Sequence, residues 1–131
     1  MFTAGGSDLH IKVPAPPMMR LNGVLQPIPG TEKMMPDDTL EVLAHITKDK
    51  PEKFKEGEEN GEVDFAYPLP GVARFRVNAF TQRGSCSIVM RAIGIDIKSV
   101  DELMLPPAVK NLASEERGVI LVTGTTGSGK S

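Results

Sequence analysis

From residue 62 onward the chain alternates apolar and polar positions with a period of two. In "EVDFAY" (62–67) the residues Val63, Phe65 and Tyr67 fall on one side, and "VARFRVNAF" (72–80) and "SCSIVMRAI" (85–93) alternate over longer stretches. Successive side chains of a strand point to opposite faces, so the pattern predicts three strands of an antiparallel sheet. "PLPG" (68–71) and "TQRG" (81–84) supply the turns. Nearer the start, Asn22-Gly23 separates two short apolar runs. Both central positions of a type I′ turn need positive φ, which this pair tolerates, so strands are expected at about 18–21 and 24–28. An earlier strand is expected at 9–13, before the interruption by Pro14, Pro16 and Pro17.

Between these regions the period lengthens. Leu40, Leu43, Ala44 and Ile46 make a helical stripe within 36–49, with Asp37 or Asp38 as cap. A second short helix is expected over 50–61, with Pro51 in its first turn and Asn60-Gly61 at its end. The charge run 52–59 reads as its solvated face. After the last strand, Ser99 and Glu102 have capping-box spacing, and Pro107 can open a helix over 107–114. Residues 95–116 therefore read as a linker with short helices. "VILVT" (119–123) is a continuous apolar run, as expected for a buried strand of a parallel sheet. The expected fold class is α+β: an antiparallel-sheet domain over 1–94, the linker, and the first strand and loop of an incomplete α/β domain over 117–131.

Composition narrows the function. With 131 residues the chain has room for one domain and not for two full ones. A net charge of −2 argues against a surface built to grip nucleic-acid phosphates. No apolar run reaches about 18 residues, so no membrane span is expected. "MFTAGGSDLH" lacks the layout of a signal peptide, and Cys86 is the only cysteine, which together suggest a cytoplasmic protein. Cys86 alternates onto the apolar face with Ile88 and Met90, where an inert thiol is expected. Asp8 and His10, two apart, could share a strand face. Without further ligands nearby they read as structural rather than metal-binding.

The last eight residues carry the strongest chemical signal. Gly124-Thr125-Thr126-Gly127-Ser128-Gly129-Lys130-Ser131 fits G-x-x-x-x-G-K-[ST] at every fixed position. Glycines allow backbone N–H groups to turn inward around a phosphate, Lys130 adds a point charge, and Ser131 offers a hydroxyl to Mg²⁺. ATP and Mg²⁺ are the implied ligands. The grip also uses the N-terminus of a following helix, and hydrolysis needs further acidic and water-positioning groups. The chain is therefore expected to be the amino-terminal part of a longer enzyme, inactive by itself.

A second candidate lies in the long hairpin. If Arg83-Gly84 makes a two-residue turn, Phe75 faces Ala92, Val77 faces Met90 and Ala79 faces Ile88, all apolar. The other face then carries Arg74, Arg76, Asn78 and Arg91, with Arg76 directly opposite Arg91. Like charges opposite each other destabilise a sheet. Two accounts remain open: a phosphate clamp or arginine finger, or arginines that splay into solvent or pair with acids elsewhere.

Several segments together carry a family resemblance. "SDLHIKVPAPPMMRLNGVLQPI", "VDFAYPLPGVARFRVNAFTQRGS" and "DELMLPPAVKNLASEERGVILVTGTTGSGKS" resemble the amino-terminal half of the PilT-type, pilus-retraction ATPases of the type II/IV secretion ATPase superfamily. The resemblance implies a PAS-like amino-terminal domain, a linker, and a RecA-like ATPase domain beginning at the strand before the phosphate loop. It implies a homo-hexameric ring at the cytoplasmic face of the inner membrane, working on the pilus machinery and its platform protein. It also implies that Arg76 and Arg91, and more weakly Arg74, reach the phosphates. Thr125 stands where the family is expected to have Pro, and Gly94 where it often has Pro. Two alternatives are a pilus-assembly or type II secretion ATPase, and a non-catalytic PAS-like interaction module.

Overall fold

The computed structural model describes residues 5–94 and 99–124. Positions 95–98 of the expected linker and 125–131 of the phosphate loop, Lys130 and Ser131 included, lie outside the described residues. The chain divides into two units, Met1–Ile95 and Asp96–Ser131.

In the first unit all six expected strands form, the first ending at Ile11 rather than at position 13. They are β1 (Asp8–Ile11), β2 (Met18–Leu21), β3 (Val24–Pro27), β4 (Glu62–Leu69), β5 (Ala73–Gln82) and β6 (Ser85–Ile93). They join in one sheet in the order β3-β2-β1-β6-β5-β4, and every neighbouring pair runs antiparallel. The β5–β6 hairpin has the expected register, with Phe75 opposite Ala92, Val77 opposite Met90 and Arg76 opposite Arg91. Arg83 (φ 53) and Gly84 (φ 77) both take positive φ, as a type I′ turn demands, and Asn22 (φ 50) and Gly23 (φ 83) do the same between β2 and β3.

β4 runs two residues further than expected and takes Pro68 into the strand. It can do so because β4 is an edge of the sheet, where a missing N–H need not break the ladder. The turn that follows is tightened to Pro70-Gly71, with Gly71 at φ 73 and the Val72 N–H donating to the Leu69 carbonyl at 3.1 Å.

Two helices lie between β3 and β4 in sequence, α1 (Pro36–Ile46) and α2 (Pro51–Asn60). α1 is capped by Met35 rather than by Asp37 or Asp38. Pro36 takes the first helical position, and Asp38 reaches back to accept the Met35 N–H at 2.6 Å. α1 also ends earlier than position 49. The Thr47 hydroxyl donates to the Leu43 carbonyl at 2.7 Å, and the Lys50 N–H closes a turn onto the Thr47 carbonyl at 2.8 Å, leading straight into Pro51. Gly61 (φ 74) ends α2 in the left-handed conformation.

The apolar face of the sheet holds Phe75, Val77, Ala79, Ile88 and Met90, joined by Ile11, Val63 and Phe65 and covered by Leu43 of α1. Val77 and Ile88 are fully buried. A Cβ added to Gly57 of α2 would lie 3.1 Å from Val63 Cγ1, so that helix sits close on β4. Cys86 packs beside this core, and burial pushes its thiol pKa up, which suits an unreactive thiol. Both helices pack on one side, and among the described residues of this unit no element covers the opposite face of the sheet.

The second unit departs further from expectation. The capping-box bonds form, with the Ser99 N–H donating to Glu102 at 2.7 Å and the Glu102 N–H to the Ser99 hydroxyl at 3.3 Å. Residues 101–104 make turns rather than a helix, and Met104 takes a positive φ of 51 that ends any helical path. α3 (Ala108–Ala113) follows Pro107 as expected. The buried strand expected at 119–123 does not form: the segment has no regular secondary structure among the described residues, and Val119 is 85% exposed. An interior parallel strand takes its ladder from strands on either side and its burial from layers above and below. The described residues supply neither to it.

Candidate functional site

The open face of the sheet is ordered by register. Across all six strands one row runs Ala66, Arg76, Arg91, Asp8, Arg20, Leu25. Residues opposite each other in an antiparallel pair point to the same side, so three arginines and one aspartate share a line across the face. The next row carries Asp64, Asn78, Val89, His10 and Met18. Arg74 projects on the same side, opposite Ile93.

Each expected clamp arginine meets a carboxylate. Arg91 Nε donates to Asp8 Oδ1 at 2.8 Å, and Arg76 Nε lies 3.6 Å from Asp64 Oδ1. The two pairs differ in strength. Asp64 sits on an edge strand and its side chain is 49% exposed, so its pair with Arg76 contributes about 0–1 kcal/mol. Asp8 lies on an interior strand with its side chain 6% exposed, and a hydrogen bond from a charged donor to such an acceptor contributes about 1.5–3 kcal/mol. Both arginine side chains remain 72% exposed, which places the Arg91 bond at the low end of that range.

Asp8 has three partners. Besides Arg91, it accepts the Ser7 hydroxyl at 2.7 Å and pairs with Arg20 Nε at 3.4 Å. Burial by itself raises the Asp8 pKa, but the hydrogen bonds from Arg91 and Ser7 and the charges of Arg91 and Arg20 outweigh it. The carboxyl titrates below the ordinary aspartate value. Arg20 is further tied by Nη1 donating to the Gly23 carbonyl at 3.0 Å.

Among the described residues, the arginines follow the second account, pairing with acids while staying largely exposed. Arg76 and Arg91 do pair with acids, but each does so through Nε, the inner edge of the guanidinium. No described acceptor takes the Nη nitrogens of Arg91, and with Arg76, Asn78, Val89 and Asp64 it lines a shallow depression open to solvent. Arg74 and Arg76 line a second depression beside it. Such a surface can accept a multivalent anion. Of the phosphate loop, only Gly124 falls within the described residues.

Sequence reasoning placed Arg74, Arg76 and Arg91 on one face through the hairpin register. It missed Arg20 altogether and set Asp8 aside with His10. Asp8 and Arg91 stand 83 residues apart, and nothing in the spacing shows which strand β1 joins.

No family model matches the chain. The curated relatives are more informative. The type IV pilus ATPase PilU of Pseudomonas aeruginosa is 38% identical over 131 residues, covering 100% of this chain and 34% of PilU. The type IV pilus retraction ATPase PilT of the same organism is 41% identical over 127 residues, covering 97% of this chain and 36% of PilT. A crystal structure of the pilus retraction motor PilT with bound ADP superposes with a TM-score of 0.85 at 38% identity, covering 98% of this chain and 37% of that one. The chain is a relative of the PilT-type pilus ATPases. It spans about a third of the length of the curated relatives it matches, and its six-stranded antiparallel sheet matches the corresponding part of the solved PilT motor.

Proposed function

We propose that this chain is the amino-terminal part of an ATP-hydrolysing motor for type IV pilus retraction, and that the open face of its sheet clamps nucleotide phosphates. The observation that carries the reading is the Arg76–Arg91 pair. Two like charges stand opposite each other, each side chain 72% exposed, in a relative of a pilus motor solved with bound ADP. An anion between them would relieve their repulsion and take bidentate hydrogen bonds.

In this reading residues 1–94 form a PAS-like domain, 95–116 a linker and 117–131 the start of a RecA-like ATPase domain. ATP, with Mg²⁺, supplies the phosphoanhydride that is cleaved. The residues that would hold its phosphates are Gly124, Thr125, Thr126, Gly127, Ser128 and Gly129, through their backbone N–H groups. Lys130 would supply positive charge to the terminal oxygens, and Ser131 would supply a hydroxyl ligand for Mg²⁺. Arg76 and Arg91, with Arg74 beside them, balance the charge that spreads over the transferred group. A homo-hexamer at the cytoplasmic face of the inner membrane, acting on the pilus platform protein, is the matching assembly. The names of the relatives favour retraction over pilus assembly.

The test is steady-state ATP turnover of the complete protein. Lys130→Ala is expected to abolish it, and Arg76→Ala and Arg91→Ala each to lower it by about 10²–10³-fold. Thermal midpoints should stay within a few degrees. Unchanged turnover in both arginine variants would sink the clamp.

A further inference from the structure

We infer that Asp8 is a positioning residue for Arg91: its buried carboxylate holds the guanidinium by Nε and turns the Nη edge outward toward an anion. The inference rests on the clamp reading above and adds to it a device that sets the direction of one arginine.

The geometry carries it. A long side chain that is 72% exposed has many rotamers, and catalysis by charge needs one of them. Asp8 is well suited to select it. Its strand is hydrogen-bonded on both sides, to β6 and to β2, so its carboxylate cannot drift. Ser7 at 2.7 Å and Arg20 at 3.4 Å hold Oδ2, leaving Oδ1 for Arg91 at 2.8 Å. A single bond to Nε directs a planar guanidinium without consuming its outer fork. Arg76 has no equivalent anchor. Its partner Asp64 is on an edge strand, half exposed and 3.6 Å away. The clamp would therefore have one directed and one adaptable arm.

A purely structural Asp8 would balance the charges of Arg91 and Arg20 and do no more, so the test reads kinetics. In the complete protein, Asp8→Asn keeps the shape and removes the charge. It is expected to lower kcat for ATP about tenfold, with KM within about twofold, because a misdirected charge is felt chiefly in the transition state. Added to Arg91→Ala, it should lower kcat no further. If Asp8→Asn turns over at the wild-type rate while Arg91→Ala is impaired, the clamp stands and the positioning role is gone. An equal loss from Asp8→Asn in the presence and absence of Arg91 overturns it as well. Full turnover by Arg91→Ala removes the clamp and this inference together. Should Asp8→Asn melt the domain, Asp8→Glu, which retains the charge one methylene further out, takes its place. A wild-type kcat for that variant overturns the inference, and a loss that vanishes in the Arg91→Ala background supports it.

Discussion

His10 stands one row along the sheet from Asp8, opposite Val89 on one side and Met18 on the other. Burial is the main cause that lowers its pKa, the charges of Arg20, Lys12 and Arg91 add to the lowering, and Asp8 opposes it. The unfolded chain thus binds a proton at a pH where the folded chain does not. The stability this provides is fully present above the ordinary histidine value, about 6.5, and is lost as pH falls through the folded pKa. Asp8 is also depressed and acts in the same direction at lower pH, its contribution being lost below about 4. Urea unfolding followed between pH 5 and 8 should show stability rising with pH, and His10→Gln should flatten that rise. A curve equally steep in the variant would assign the effect to another group. At this scale the sequence was half legible: the two residues can be seen to share a strand face, but their neighbours cannot.

The hairpins show why some elements were readable and others not. In Asn22-Gly23 both residues suit positive φ, so the turn, the strands and the register follow from a dipeptide. Arg83-Gly84 reaches the same geometry with a less suited first residue, because Phe75, Val77, Ala79, Ile88 and Met90 would leave the core if the strands slipped by one. Burial there overrides local preference. Arg83→Asn is accordingly expected to stabilise the domain by about 0.5 kcal/mol, seen as a higher urea midpoint with unchanged slope. No gain would mean that Arg83 makes compensating contacts. The boundaries that moved, at Met35, Thr47 and Pro68, did so through single hydrogen bonds or an edge position. The apolar run 119–123 illustrates the reverse case. Its pattern predicts a strand, but a strand is a property of a pair.

For the molecule as a whole, the core among the described residues lies in one unit. Every buried residue of the apolar cluster lies between Ile11 and Met90, within the unit that ends at Ile95. A polypeptide ending at Ile95 should therefore keep one cooperative thermal transition, with a midpoint within about 5 °C of the 131-residue chain. A broad or absent transition would show that the later residues contribute to its stability. No described helix is long and apolar enough to cross a membrane.

The sequence by itself determined the strands of the first unit, the two long helices in outline, the β5–β6 register and the family, because these depend on local periodicity, turn chemistry and motifs with fixed spacing. Only the tertiary structure decided that β1 lies between β6 and β2. That placement turns an aspartate near the amino terminus into the partner of two arginines and draws Arg20 into their row. Pairing between distant strands is set by the burial of a whole face at once, and no short stretch of sequence records which strand will be the neighbour.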